Sequence, residues 1–168
     1  MNEFLRVEKY RPQTIADCIL PASLNSTFSK MVSSGEIQNM LFTGTAGVGK
    51  TTVAKALCKE LDLDYIVVNG SEEGNIDTLR TKIRHFASTV SLQGGYKVVI
   101  LDECDGLTQD SQKALRNVME EHHNTTRFIL TANFSHKIIN AITSRFQTFD
   151  LTVDKYNYGE RLRYILDE

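Results

Sequence analysis

The chain has 168 residues, 41% of them hydrophobic, and a formal net charge of −2. This suits one domain with a single substantial core, and it excludes nucleic-acid binding through overall charge, so any such contact needs a local basic patch. The isolated cysteines Cys18, Cys58 and Cys104 predict neither a disulfide framework nor a zinc site. Without a long apolar run or a signal-peptide core, the sequence predicts a soluble protein of the cytoplasm, or the nucleus in a eukaryote, with no membrane partner.

The first predicted element is an N-terminal arm. Charged and aromatic residues mix around Tyr10, and Pro12 disfavours helix in the residue before it, so we expect an extended segment packed on the domain. A helix from about Ser23 to Val32 follows, because its apolar residues recur at helical spacing. Gly35 marks its end.

A phosphate-binding loop follows the first predicted strand. Met40–Thr43 is a short apolar run typical of a buried parallel strand, and the next eight residues fit G-x-x-x-x-G-K-[ST]. In this pattern backbone N–H groups surround nucleotide phosphates, and the following helix adds the positive end of its dipole. The predicted nucleotide-binding residues are Gly44, Thr45, Ala46, Gly47, Val48, Gly49, Lys50, Thr51 and Thr52.

Strands and helices alternate along the rest of the chain. Apolar, β-rich runs predict a buried strand at Tyr65–Val68 and further strands at Val98–Leu101, Phe128–Ala132 and Phe146–Leu151. Apolar residues at helical spacing predict helices at Asp77–Val90, Gln109–Glu121 and Ile138–Ile142. The last strand alternates polar and apolar residues, which is typical of a sheet edge. The order predicts an α/β fold, a doubly wound five-stranded parallel sheet of the P-loop NTPase type.

Polar side chains follow two of these strands. Asp102 and Glu103 end the most hydrophobic one, and parallel sheets bind ligands at that end, so the acids lie beside the phosphates if their strand neighbours the loop strand. Asp102 would then hold Mg²⁺ with the Thr51 hydroxyl, and Glu103 would polarise a water that attacks the terminal phosphate. Asn133 could orient that water or sense the γ-phosphate. The alternatives are a helix-capping turn for the acids and a chain-turning asparagine.

Together these landmarks resemble the clamp-loader branch of the AAA+ ATPases, especially replication factor C small subunits and the phage sliding-clamp loader ATPase subunit. The resemblance covers nearly the whole chain. Glu8–Pro12 is similar to the E-K-Y-R-P box, Asp102–Asp105 to the D-E-x-D Walker B motif, Thr131–Asn133 to sensor 1 and Ser144–Arg145 to the S-R-C motif, in which Phe146 replaces the usual cysteine.

The resemblance implies an ATPase that uses ATP and Mg²⁺. It places Tyr10, Arg11 and Pro12 near the adenine and keeps Lys50, Thr51, Asp102, Glu103 and Asn133 in the roles above. It also implies that Arg145 completes the ATP site of a neighbouring subunit as a finger in trans, worth roughly 10³-fold or more in rate. We therefore expect weak hydrolysis by the isolated chain.

The partners that the resemblance implies are other clamp-loader subunits, in homo- and hetero-oligomers, a sliding clamp, and primer-template DNA. The DNA would be contacted through phosphates, without sequence readout. Arg80 matches the family's basic position best, with Lys82, Arg84 and Lys113 as looser candidates. By analogy the loop from Ser88 to Gly95 faces the clamp.

Residues 1–151 are thus expected to form an AAA+ nucleotide-binding domain, and residues 152–168 only the beginning of a truncated helical lid. Three other functions are weighed. A branch-migration helicase ATPase is the nearest alternative, and a nucleotide-binding scaffold without turnover is the second. A small-molecule phosphotransferase is disfavoured because Glu103 beside Asp102 favours water as the phosphoryl acceptor.

Overall fold

The computed structural model describes residues 9–72 and 75–152. In this part of the chain the strands are β1 (Met40–Thr43), β2 (Tyr65–Asn69), β3 (Lys97–Asp102), β4 (Thr126–Ala132) and β5 (Gln147–Asp150). The helices are α1 (Ala22–Ser34), α2 (Lys50–Glu60), α3 (Ile76–Ser88), α4 (Gln109–Glu121) and α5 (Asn140–Thr143), with short 3₁₀ turns at Cys104–Gly106 and Ser135–Lys137. The predicted helix at the start of the lid, and Glu8 of the arm, lie outside the described residues.

All neighbouring strands are parallel, in the order β2-β3-β4-β1-β5. The doubly wound five-stranded sheet is therefore confirmed. β1 and β3, which carry the glycine-rich loop and the two acids, are not neighbours, because β4 lies between them. Their carboxyl ends still share one edge of the sheet, since Thr43 pairs with Ala132 and Leu101 pairs with Leu130. We call this the carboxyl edge.

Two apolar layers pack on opposite faces of the sheet. Met40 and Phe42 of β1 belong to the layer under α1 and α2, with Phe28 of α1 in ring contact with Phe42. Leu41 between them points into the layer under α3, α4 and α5. This alternation is the period-two pattern of strands. The central strands are buried on both faces, so the carboxyl edge rests on a rigid base.

The predictions for the two edge strands of the sheet, β5 and β2, had different outcomes. β5 is an edge strand with Phe149 buried and its other residues exposed, as predicted. The expectation that β2 is a buried strand was wrong, because β2 lies at the opposite edge and pairs with β3 alone. Among its residues only Val68 is buried, and Val67 is 41% exposed. Strand order depends on contacts far apart in sequence, which the β-rich run does not encode.

The helix predicted over Asp77–Val90 ends at Ser88. Thr89 has extended backbone with ψ of 152°, so it stops the helical hydrogen bonding. Val90, expected on the packed face of this helix, is 89% exposed, and Leu92 is 91% exposed. Asp64 holds the segment after the helix, accepting from the Ser91 hydroxyl at 3.0 Å and from the Leu92 N–H at 2.8 Å.

Gln112 of α4 links three backbone groups in the interior. Its side-chain amide donates to the carbonyls of Leu107 and Lys137 at 3.2 and 2.9 Å, and its carbonyl accepts from the N–H of Ile139 at 2.8 Å. Because the residue is buried, Gln112→Ala would leave those groups unpaired, and we expect it to lower the free energy of unfolding by about 3 kcal/mol. Urea denaturation checks this value. Gln109→Ala on the exposed start of the helix is the control, and an equal loss in both variants would contradict the account.

In the two described ranges we find no helix with the length and hydropathy needed to cross a membrane.

Candidate functional site

A cleft of about 240 Å³ opens at the carboxyl edge, above β1, β3 and β4. Its floor is the loop between β1 and α2. Gly47 and Gly49 have φ of 82° and 89°, a left-handed conformation that residues with a side chain rarely adopt. Gly49 is also the residue before the first turn of α2 and has no side chain to cap it. The N–H groups of that turn are therefore available to an anion in the cleft.

Lys50 is the one cation among the described residues that line the cleft. Its ammonium donates to the carbonyl oxygens of Gly44 and Thr45, each at 2.9 Å, and to Oδ1 of Asn133 at 2.7 Å. Burial lowers the pKa of Lys50, and the carboxylates of Asp102, Asp105 and Glu103 oppose that shift. A partly dehydrated ammonium thus lies among oxygen atoms, which suits the recognition of phosphate.

The Asp102 carboxylate is held by two hydroxyls on different elements. Thr51 Oγ1 of α2 donates to Asp102 Oδ1 at 2.6 Å, and Thr131 Oγ1 of β4 donates to the same oxygen. Thr131 is buried, and it also accepts from the N–H of Glu103 at 3.1 Å. Thr131 thereby joins β4 to the acidic end of β3, and Thr51 joins α2 to the same carboxylate. A hydroxyl beside a carboxylate is a donor set of the kind that Mg²⁺ prefers.

Glu103 adopts a left-handed conformation, with φ of 53° and ψ of 48°. Such a conformation costs energy for a residue with a side chain, and it is common at functional sites. The Ser71 hydroxyl donates to its Oε2, and that hydroxyl also lies 2.8 Å from Oδ1 of Asn69. Since a hydroxyl has one proton, Ser71 can donate to only one of these oxygens at a time. The strained turn presents the Glu103 carboxylate at the rim of the cleft.

Asn133 follows β4 and lines the cleft, where its side chain reaches Lys50. Its backbone is fixed by Asp105, whose Oδ2 accepts from the N–H groups of Asn133 and Phe134 at 3.1 and 3.0 Å. Lys50, Thr51, Asp102, Glu103 and Asn133 therefore lie around one cleft, although β3 and β1 are not neighbours. Their roles in binding and hydrolysis stay predictions.

A family model described as "ATPase family associated with various cellular activities (AAA)" matches residues 40–152 of this chain. The match contains the whole cleft. The chain belongs to the AAA family.

Curated relatives of this AAA domain include the Replication factor C small subunit of Methanosphaera stadtmanae, 39% identical over 168 residues, covering 96% of this chain and 52% of that protein. The Replication factor C small subunit of Haloarcula marismortui is 42% identical over 153 residues, covering 88% and 47%. The chain spans about half the length of these relatives. In fold, it is similar to the Holliday junction branch migration motor RuvB of Thermotoga maritima, with a TM-score of 0.70 and 18% identity, covering 94% of this chain and 55% of that one.

The arm lies apart from the phosphate cleft of the AAA domain. Tyr10, Arg11 and Pro12 are half-buried and do not line the cleft. Beyond them, Gln13 accepts from the ammonium of Lys59, and the N–H of Ile15 donates to Glu60, both at the far end of α2. A helix of 11 residues is roughly 16 Å long. The placement of these three residues near the adenine remains a prediction.

The predicted DNA-contacting cations lie on α3 and α4, which pack against each other. Arg80 and Lys113 each lie 3.8 Å from an aspartate one turn earlier in the same helix. Arg84 makes a bidentate ion pair with Glu121 at 3.0 and 3.1 Å. Hydrogen bonding from Arg84 lowers the pKa of Glu121. Lys82 follows Thr81 on α3, and both line a groove beside the edge strand β2.

Arg145 lies at the opposite end of the strands from the cleft. It precedes Gln147, which pairs with Met40 at the amino end of β1, whereas the phosphate loop follows the carboxyl end of β1. The four residues of β1 span roughly 13 Å. Arg145 is therefore outside the cleft of its own chain. Phe146 beside it is buried, while the Arg145 side chain is 48% exposed.

Sequence reasoning assigned no separate role to three residues of the site, which are Thr131, Asp105 and Ser71. A threonine inside an otherwise apolar strand is a signal for Thr131, because buried hydroxyls need a partner. Asp105 belongs to the D-E-x-D pattern, but its contact with Asn133 crosses from one strand end to another. Ser71 carries no signal, since serine is common in the turn after a strand.

Proposed function

We propose that this chain is the ATPase module of a DNA sliding-clamp loader subunit, coupling ATP binding and hydrolysis to loading of a clamp onto primer-template DNA. Its curated relatives with about 40% identity are named as replication factor C small subunits. The RuvB likeness, at 18% identity, concerns the fold alone. In this proposal ATP binding assembles the subunits with the clamp. Hydrolysis, after the assembly has bound DNA, releases the clamp.

The phosphates of ATP bind over the loop between β1 and α2. Lys50 exchanges its bonds to Gly44, Thr45 and Asn133 for bonds to the terminal phosphate oxygens, which carry full charge and are stronger acceptors. Thr51 and Asp102 would hold Mg²⁺, because a hydroxyl and a carboxylate are oxygen ligands of the kind that this ion binds. Bound there, Mg²⁺ would supply positive charge beside the phosphates.

Water attacks the γ-phosphorus and gives a proton to Glu103, whose carboxylate stands at the rim of the cleft. The bond from that phosphorus to the bridging oxygen breaks, and ADP leaves. Asn133 has an amide that can hydrogen-bond to that water or to a phosphate oxygen. Its backbone is fixed by Asp105, so ATP binding can turn the side chain without moving the strand end. In this arrangement the hydrogen bond between Asn133 and Lys50 depends on whether the γ-phosphate is present.

The placement of Arg145 is the observation that carries the proposal of a shared site. Among the described residues, Lys50 is the one cation lining the cleft, whereas phosphoryl transfer gains from a second cation at the γ-phosphate. Arg145 lies half-exposed at the other end of the sheet. In a ring or spiral of subunits it supplies that cation to the site of the next subunit.

Two surfaces fit the remaining partners. Val90 and Leu92 expose apolar side chains on a segment anchored by Asp64, which suits an apolar contact with the clamp. α3 and α4 follow β2 and β3 and carry the cations proposed to contact DNA phosphates, which are Arg80, Lys82, Arg84 and Lys113. The ion pairs of Arg80 and Lys113 with aspartates of their own helices are long, at 3.8 Å, so phosphates can compete for these two cations. Arg84 would have to exchange its bidentate pair with Glu121 for a phosphate.

A scaffold subunit without turnover is the alternative from another class. A scaffold does not need residues that serve hydrolysis, whereas this chain has a strained Glu103 at the cleft together with Lys50 and Arg145. For that reason we favour the ATPase.

The shared site predicts that ATP hydrolysis per chain rises with chain concentration. At low concentration each site lacks the Arg145 of a neighbour, so the rate per chain is expected to be low and to increase until assembly is complete. Phosphate release across a hundredfold range of chain concentration, at saturating ATP and Mg²⁺, measures this. A brisk rate per chain that does not change with concentration would contradict a site completed in trans.

A further inference from the structure

Arg145 is fixed by two contacts on its own chain. One terminal nitrogen, Nη1, donates to the carbonyl oxygen of Ala141 at 2.7 Å, and the other, Nη2, lies 2.8 Å from Oε1 of Glu120. Guanidinium has five N–H donors, so these contacts leave several free. The two contacts therefore fix the guanidinium group of Arg145 and leave it further N–H donors for another partner.

The backbone on both sides of Arg145 is anchored in the core. Ile142 before it and Phe146 after it are buried in the layer under α4 and α5. The N–H of Arg145 also donates to the carbonyl of Ile142 at 2.9 Å. With the main chain fixed, the direction of the long side chain depends on its two contacts. Of these, Glu120 is the only one made by a side chain among the contacts described for Arg145.

Glu120 lies in the last turn of α4, and its carboxylate faces Arg145. Arg116, one turn earlier, has its Nε 3.9 Å from the same Oε1. The next residue, Glu121, turns the other way and pairs with Arg84 of α3. Among the described contacts, Glu120 thus pairs with Arg145, whereas the adjacent Glu121 pairs with Arg84.

We propose that Glu120 is a positioning residue for the trans-acting Arg145, an inference that rests on the proposed function of that arginine. An arginine loses much side-chain freedom when it reaches across a subunit boundary. The ion pair with Glu120 restricts the side chain before the neighbour arrives, and several N–H donors stay available to the neighbour. The carboxylate acts on the rate of hydrolysis in the neighbour and not on nucleotide binding in its own chain.

Two inactive variants of the chain separate these effects. Arg145→Ala keeps an intact cleft but offers no arginine, and we call it the acceptor. Glu103→Gln keeps Arg145 but has a defective cleft, and we call it the donor. Mixed at high concentration, they are expected to restore ATP hydrolysis, because the arginine of the donor completes the cleft of the acceptor.

Glu120→Ala is then placed in the donor or in the acceptor. In the donor it is expected to lower kcat of the mixture about fivefold, the size of effect of a half-exposed ion pair, with KM for ATP unchanged. In the acceptor, which has no Arg145 to position, the same change is expected to leave kcat unaltered. Glu120→Gln in the donor keeps an oxygen that accepts an N–H, so it should restore part of the lost rate.

Glu121→Ala in the donor is the matched control, since it removes the neighbouring carboxylate without touching Arg145, and it is expected to leave kcat unaltered. Equal losses with Glu120→Ala in donor and acceptor, or no loss in either, would overturn the positioning role while leaving the trans arginine in place. If donor and acceptor with Glu120 intact restore no hydrolysis, the trans role of Arg145 itself fails, and the inference fails with it.

Discussion

Glu103→Gln is expected to lower ATP hydrolysis by about 10²- to 10⁴-fold while ATP affinity stays within about twofold of the parent. The amide is nearly isosteric with the carboxylate and can still accept the Ser71 hydroxyl, so the strained turn keeps its shape. What it loses is the ability to take a proton from water. Asp102, which accepts from the Thr51 hydroxyl and is the proposed ligand of Mg²⁺, is untouched.

Two measurements separate binding from chemistry in this variant. Titration of ATP by calorimetry gives the affinity, and phosphate release at saturating ATP gives the rate. Glu72→Gln, an exposed acid on the turn after β2, is the control and should match the parent in both. If Glu103→Gln hydrolysed ATP at the parental rate, the residue would not be the base, and the scaffold alternative would gain.

Arg145→Ala is expected to lower kcat of the assembled chain by about 10³-fold and to leave ATP affinity unchanged. In the proposed shared site the arginine contributes charge at the γ-phosphate of the neighbour only when the phosphoryl group is being transferred. It lies at the opposite end of the sheet from the cleft of its own chain. Arg145→Lys keeps the charge but loses the planar fork, so we expect it to recover a small part of the rate.

The measurement is kcat at a chain concentration where the parental rate per chain has levelled off. A variant that retained the parental kcat there would show that the second cation comes from elsewhere. A variant that lost ATP affinity together with rate would place Arg145 in ground-state binding, which the geometry of its own chain does not support.

Local sequence predicted the elements of this fold well. β1 has the predicted limits, Met40–Thr43, and α4 has the predicted limits, Gln109–Glu121, because a short apolar run and an amphipathic repeat are local signals. The burial of β2 could not be predicted. Whether a β-rich run lies in the middle or at the edge of a sheet depends on strand order, which contacts between distant residues decide.

The candidate site shows the same division. Lys50 and Thr51 belong to one continuous motif whose backbone shape is local, so their place in the cleft followed from the sequence. Thr131 reaches Asp102 only because β4 lies beside β3, and this adjacency has no local signature. The position of Arg145 at the amino end of β5 was predictable, but a role in a neighbouring subunit came from the family resemblance alone.

ATP hydrolysis with and without a sliding clamp and primed DNA tests the clamp-loader proposal most directly. The longest form of the protein should be assayed alone, with the clamp, with primed DNA and with both. We predict a low rate alone and the largest stimulation when clamp and primed DNA are present together. A rate that neither partner changes, or one stimulated by a four-way DNA junction and not by the clamp, would contradict the account.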